Sequence, residues 1–208
     1  MNGTAHATIG GAAGFIIANT LQTSPSSTLI FVGLGGISAL MPDLDIDGKL
    51  SGKITFSHKV IRRIAQFIGM LMIFYSFYEG VDTEKYISAG IGLGIIILSS
   101  SIRQRHMLTM SAVGVIAAGL SLQESWLWLL GIFILIASFV SHRSYTHSIL
   151  GVIFFGMIAA KLEVSVGLNG VYHTCLAGYI SHLIADSKLL PFNRRGIKLF
   201  LPFSAKEL

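Results

Sequence analysis

The sequence predicts an all-α fold, a polytopic transmembrane helical bundle of about eight helices, some of them short. Three observations lead there. Hydrophobic residues make up 52% of the 208 positions and charged residues only 12%, whereas soluble domains carry about 25% charged residues. Mean hydropathy is +0.71, so a water-soluble globule is hard to build from this composition. Glycine is abundant at 23 residues and proline scarce at 4, a balance that suits close helix packing in a bilayer.

The helices follow from apolar runs separated by polar breaks, roughly at 7–23, 28–42, 64–79, 86–101, 108–122, 126–140, 148–162 and 171–187. The first run begins after Thr4-Ala5-His6 with no Lys or Arg before it. That omits the charged start of a secretory signal, and the N-terminus is expected to stay on the mature protein. The second holds Gly33-Leu34-Gly35-Gly36 and the fourth Gly90-Ile91-Gly92-Leu93-Gly94. Inside apolar runs these read as helix–helix contacts, not phosphate loops. The eighth run contains Cys175, the only cysteine, so no intramolecular disulfide forms. A full span takes about 20 residues and several runs are shorter, so the first two can form a shallow pair. The length allows one membrane-embedded domain, 1–208, without a separate soluble catalytic domain.

Alternating sides puts the N-terminus, the loops at 43–63, 103–107 and 141–147, and the C-terminal tail on one face. There lie Lys49, Lys53, Lys59, Arg62, Arg63, Arg103, Arg105, Arg143, Lys188, Arg194, Arg195, Lys198 and Lys206, against Lys85 and Lys161 opposite, a split of 13 to 2. The basic face, with both termini, is therefore expected in the cytoplasm, and the chain in an inner membrane. A net charge of +5 is accounted for by topogenic charge and by attraction to anionic headgroups. No nucleic-acid partner is expected, since no basic recognition module is present.

The chemistry-bearing residues gather on the same face. Met41-Pro42-Asp43-Leu44-Asp45-Ile46-Asp47 places acids at a helix C-terminus, the negative end of the macrodipole. A bound cation would relieve that and their mutual repulsion. In Ser141-His142-Arg143-Ser144-Tyr145-Thr146-His147-Ser148, His142 and His147 are five apart, about 140° around a continuous helix. They converge only if the helix breaks between them, with Ser144 or Thr146 capping the next helix and His147 in its first turn. His182 and Asp186, at i and i+4, share one helix face and suit chelation of Zn²⁺, Mn²⁺ or Fe²⁺. The competing reading of that pair is a plain His–Asp hydrogen bond. No G-x-S-x-G elbow and no H-E-x-x-H pattern is present. Phosphatidic-acid-phosphatase-type enzymes also place His four residues before Asp, but Cys175-Leu176 stand where their upstream Ser-Arg would be.

Taken in order, Thr4-Ala5-His6, Leu40-Met41-Pro42-Asp43-Leu44-Asp45, His142-Arg143-Ser144-Tyr145-Thr146-His147-Ser148, Gly178-Tyr179-Ile180-Ser181-His182 with Asp186, and Leu201-Pro202-Phe203 resemble the LexA-regulated, membrane-bound metal-dependent hydrolase family. The resemblance implies an integral membrane enzyme binding metal through His6, Asp43, Asp45, His142, His147, His182 and Asp186. Seven donors exceed one tetrahedral site, so two ions are expected, with Zn or Mn the divalent metal. The expected function is hydrolysis of a phosphoester or related bond of a lipid or lipid-linked substrate at the cytoplasmic interface. His142, Arg143 and His147 are the catalytic candidates, Arg143 as a phosphate contact. The alternatives are a metal-ion or proton transporter using the same cluster, and a non-catalytic membrane regulator with a structural metal.

Overall fold

The structure is a computed structural model that describes residues 2–44, 57–141, 143–190, 193 and 196–208. It is all-helical, with eight α-helices and no strand among the described residues. They are α1 (Gly3–Thr20), α2 (Pro25–Ser38), α3 (His58–Glu79), α4 (Asp82–Ser100), α5 (Gln104–Ser121), α6 (Ser125–Ala137), α7 (Ile149–Val166) and α8 (Val171–Asp186). Short 3₁₀ turns lie at Met41–Leu44 and Tyr145–His147.

Local chemistry sets several boundaries. Asn2 caps α1 by accepting from the Ala5 amide, and Ser24 caps α2 with Pro25 at the first helical position. Ser148, not Ser144 or Thr146, caps α7 by accepting from the Gly151 amide. His147 accordingly sits in the 3₁₀ turn just outside the helix instead of in its first turn. The third helix starts at His58, earlier than the apolar pattern suggests, because Lys59, Arg62 and Arg63 are good helix formers even where hydropathy falls.

The chain divides into two compact units, one of residues 1–51 and 108–208, the other of residues 52–107. In the larger unit α1, α2 and α8 pack on one another, α8 also meets α7, and α7 meets α6. Glycines make the closest approaches. A Cβ on Gly10 or Gly14 would collide with backbone carbonyls of α2, and one on Gly178 with the carbonyl of Gly35. Of the sequence's glycine clusters, Gly35, Gly36 and Gly92 face another helix, while Gly33, Gly90 and Gly94 face open space. The core beside them is aromatic: Tyr179 stacks on Phe155 with centroids 4.7 Å apart, and Phe133 meets Phe155 at 6.2 Å. The C-terminal tail folds back, with the Ile149 amide donating to Leu199 O and the Lys188 amide to Leu208 O. Lys188 also pairs with Glu207 at 3.0 Å, and its hydrogen bond holds that exposed carboxyl below the usual range.

The smaller unit is the hairpin of α3 and α4, crossing at Gly69 and Gly92, where a Cβ on either would lie 2.6 Å from the other's carbonyl oxygen. Ser76 and Ser99 are buried, each bonding back to its own helix. The outer faces are apolar, with Phe67, Phe74 and Tyr78 exposed at 60%, 67% and 86%. Such surface needs lipid. Among the described residues two helices, α3 and α7, are long and apolar enough to cross a membrane, or up to three spans if α4 and α5 count together as one. At 14 and 13 residues, α2 and α6 reach only ~20 Å, short of a hydrocarbon core of about 30 Å.

Gly35→Leu is expected to push α1 off α2, since its Cβ alone already meets Gly10 and Gly14. The cost should be about 3 kcal/mol or more, read as a lowered thermal midpoint in detergent. Gly33→Leu, facing open space, should leave the midpoint nearly unchanged.

Candidate metal centre

The site assembles in the larger unit from segments far apart in sequence. His6 lies in the first turn of α1, Asp43 in the 3₁₀ turn after α2, His147 in the turn before α7, and His182 and Asp186 at the end of α8. Arg143 reaches in from the loop between α6 and α7 with φ at 60°. That left-handed backbone is uncommon for a side chain with a Cβ and clusters at functional positions.

Two orienting contacts set the imidazoles. His182 Nδ1 lies 2.7 Å from the carbonyl oxygen of Ala39, which can only accept, so Nδ1 carries the proton. The Nε2 of neutral His182 therefore presents a lone pair to the cluster. His147 Nδ1 lies 3.1 Å from the Thr146 hydroxyl, which donates or accepts and so admits either tautomer. Thr146 is itself held, because the buried Tyr179 hydroxyl donates to its carbonyl.

Around these contacts the donors crowd. His147 Nε2 and His182 Nε2 are 3.2 Å apart, and Asp43 Oδ1 lies 3.7 Å from the first and 3.5 Å from the second. His6 Nε2 is 3.3 Å from Asp186 Oδ1, and His182 Nε2 is 3.9 Å from Asp186 Oδ2. Metal bonds of about 2.0–2.1 Å in a tetrahedron set ligand atoms roughly 3.3 Å apart. Both triads, Asp43–His147–His182 and His6–His182–Asp186, lie near that spacing and could hold a metal ion. His6 and His182 stack with ring centroids 4.0 Å apart, an arrangement that two imidazolium charges would oppose.

Burial strengthens the case. His147 and His182 are 0% exposed, His6 2% and Asp186 4%. Buried ionisable groups are costly unless paired or bound to a cation. Arg143 supplies one charge, its Nη2 lying 2.9 Å from Asp186 Oδ2. The Nδ1 of His6 is buried with no hydrogen-bond partner among the described residues.

The structure thus brings together His6, Asp43, Arg143, His147, His182 and Asp186. Asp45 and His142 lie outside the described residues. The expected His182–Asp186 pair is present, but Asp186 lies nearer His6 and Arg143 than His182. His173 sits at the other end of α8, its ring edge-on to Tyr172, and His58 and His106 belong to the smaller unit. Three supporting groups escaped the sequence reading: Ala39 O, the Thr146 hydroxyl and Tyr179. A tyrosine inside an apolar run needs a partner for its hydroxyl, which was a usable signal. The Ala39 carbonyl, a backbone atom, left none.

Fold and site together define a helical membrane protein with a buried His/Asp centre at the ends of its helices. The chain belongs to the YdjM inner membrane protein family, whose model matches residues 1–208. No curated protein and no solved structure matches it. Membership supports the inner-membrane part of the earlier resemblance and does not speak to hydrolysis or LexA regulation.

Because Tyr179 and Thr146 fix the turn that carries His147, removing either hydroxyl should loosen the centre without emptying it. Tyr179→Phe and Thr146→Val are each expected to weaken Zn²⁺ or Co²⁺ binding by roughly 10–100-fold. Thr146→Ser should retain it. Metal titration of the purified variants, with Co²⁺ absorption reporting the ligand field, checks both.

Proposed function

We propose that this protein is an integral inner-membrane, metal-dependent hydrolase acting on a phosphoester or related bond of a lipid or lipid-linked substrate at the cytoplasmic face. One observation carries the reading. Five His and Asp donors from four segments of the larger unit stand at ligand-to-ligand spacing in a buried cluster, beside a partly exposed arginine.

In this reading Asp43, His147 and His182 hold one divalent cation, and His6, His182 and Asp186 are placed for a second. Asp45 and His142 are further donors from the adjoining segments. Zn²⁺ or Mn²⁺ suits such a nitrogen and oxygen donor set. The metal, when bound, supplies Lewis-acid polarisation of a phosphoryl oxygen.

The chain's own residues do the rest. Among the described members Asp43, with 13% of its side chain exposed, and Arg143, with 25%, are the accessible ones, so substrate enters past them. Arg143 is held by Asp186 and presents a planar guanidinium, the geometry that orients phosphate oxygens. The Ala39 carbonyl keeps the His182 proton on Nδ1, and the Thr146 hydroxyl steadies the His147 ring. Burial of the three histidines keeps bulk water out. A closed structural metal site is the second reading, favoured by that same near-complete burial of His6, His147, His182 and Asp186.

Metal analysis of purified protein followed by a lipid-hydrolysis screen tests the proposal. Wild type should carry metal and release product from at least one phospholipid or isoprenoid phosphate. Chelator should abolish turnover, with added Zn²⁺ or Mn²⁺ restoring it. His182→Ala should lose both metal and activity, while His173→Ala keeps both. Metal without turnover across the panel would favour the structural site. Metal uptake into proteoliposomes without any lipid product would mean a transporter.

Orientation rests on the 13-to-2 charge split. Reporter fusions after Leu208 and at the turn between α3 and α4, Gly80–Val81, should report opposite sides, the C-terminus cytoplasmic. An external C-terminus would overturn the placement.

A further inference from the structure

An apolar cavity of about 180 Å³ lies against the turn that carries His147, and the metal chemistry leaves it unused. We infer that it holds the hydrocarbon chain of the substrate, a phosphate monoester whose chain begins directly at the ester oxygen. On the hydrolase reading, from which this follows, the substrate narrows from lipids in general to single-chain phosphates, prenyl or alkyl.

Three segments of the larger unit build the wall. Phe133 and Ile136 come from α6, Tyr145 and Thr146 from the 3₁₀ turn, and Leu150 and Gly151 from the start of α7. Turn and helix are locked together, because a Cβ on Gly151 would strike the carbonyl oxygens of Tyr145 and Thr146. Ile136, Tyr145 and Leu150 are exposed, so a chain reaches the cavity from the outer face of α6 and α7. Helix α7 begins at Ile149 and is long enough to cross the membrane, which puts its first turn at the edge of the hydrocarbon layer. Thr146 joins the cavity to the centre, lining the wall while its hydroxyl lies 3.1 Å from His147 Nδ1. Arg143, the phosphate contact of the proposed reaction, stands two residues before Tyr145 on the same segment.

The wall offers a chain almost nothing polar. The Tyr145 carbonyl accepts from the Ser148 hydroxyl, the Thr146 carbonyl accepts from Tyr179, and the Gly151 amide donates to Ser148 Oγ. Among the lining side chains only Thr146 and Tyr145 carry a polar atom. The first is turned to His147, and the second is an exposed amphipathic ring whose tip can stay in water. A diacylglycerol phosphate would set its glycerol esters next to the phosphate, where their carbonyls would give up water for an apolar wall at a net cost. A chain that is hydrocarbon from the ester oxygen onward gives up nothing. An apolar cavity of about 150 Å³ takes a benzene ring, so this one takes about six carbons, enough for one isoprene unit. The rest of the chain runs out past Ile136 and Leu150 into lipid.

Purified full-length protein in detergent can be titrated with hydrolysis-resistant phosphonates bearing a farnesyl, a dodecyl or a dioleoylglyceryl chain, reading retained ligand by native mass spectrometry. The two single-chain phosphonates should be retained roughly tenfold more tightly than the third, and the tighter of the two tells prenyl from alkyl. Ile136→Trp and Leu150→Trp fill the cavity from different helices. Each should weaken single-chain retention roughly tenfold or more with metal content unchanged. Ile153→Trp, on an exposed part of α7 outside the cavity, should change nothing. The wild-type comparison stands even if a tryptophan variant fails to fold. Equal retention of all three phosphonates or of none, wild-type retention in both filled variants, or equal loss in Ile153→Trp would overturn the chain site. Turnover of farnesyl phosphate separates this site from hydrolysis itself. Selective retention without release of inorganic phosphate sinks the hydrolase and leaves the chain site standing, whereas hydrolysis with equal retention does the reverse.

Discussion

The hydrogen bond from His182 Nδ1 to the Ala39 carbonyl organises the larger unit's chemistry, and it exists because α2 and α8 come unusually close. One turn before each partner stands a glycine: Gly35 precedes Ala39 by four residues, and Gly178 precedes His182 by four. A side chain at Gly178 would strike the Gly35 carbonyl, so no larger residue allows this separation. Gly35 also meets Gly10 and Gly14 of α1, which draws in the helix that bears His6. One glycine contact thus sets the distance between three helices and the tautomer of the central imidazole. In a bilayer, where lipid tails compete equally for apolar surface, such close packing is a main source of helix association.

Above that contact the cluster trades stability for order. Three imidazoles and a carboxylate are nearly or wholly buried, a state that costs several kcal/mol per unpaired charge. The chain offsets part of this with the Arg143–Asp186 pair and the Ala39 and Thr146 hydrogen bonds. What is left is a set of lone pairs facing one another at little more than 3 Å, which a cation or a shared proton can reconcile. Apart from Arg143, the supporting contacts come from backbone, hydroxyls and aromatic packing, groups that carry no charge of their own.

The α3–α4 hairpin follows other rules. Its buried residues are two glycines and two serines, with Met72, Ile73 and Ile96 packed around the crossing, and many of its large side chains face outward. It puts its bulk against lipid and its cations at one end, the reverse of the larger unit, where aromatic rings fill the interior.

The sequence alone determined the all-helical class, the eight helices and the end at which His and Asp collect, because hydropathy and charge are local properties summed over windows of a helix length. It also marked His182 and Asp186 as neighbours, since their spacing matches a turn. Tertiary structure decided the rest. That Asp43 approaches His147 and His182, that His6 stacks on His182, and that Asp186 lies closer to Arg143 and His6 than to His182 depend on where separate helices cross. Those crossings turn on which glycine of each cluster faces a neighbour. Gly33 and Gly35 look alike in the sequence, but only Gly35 meets a neighbouring helix, because a helix turns by about 100° per residue and its partners lie on one side.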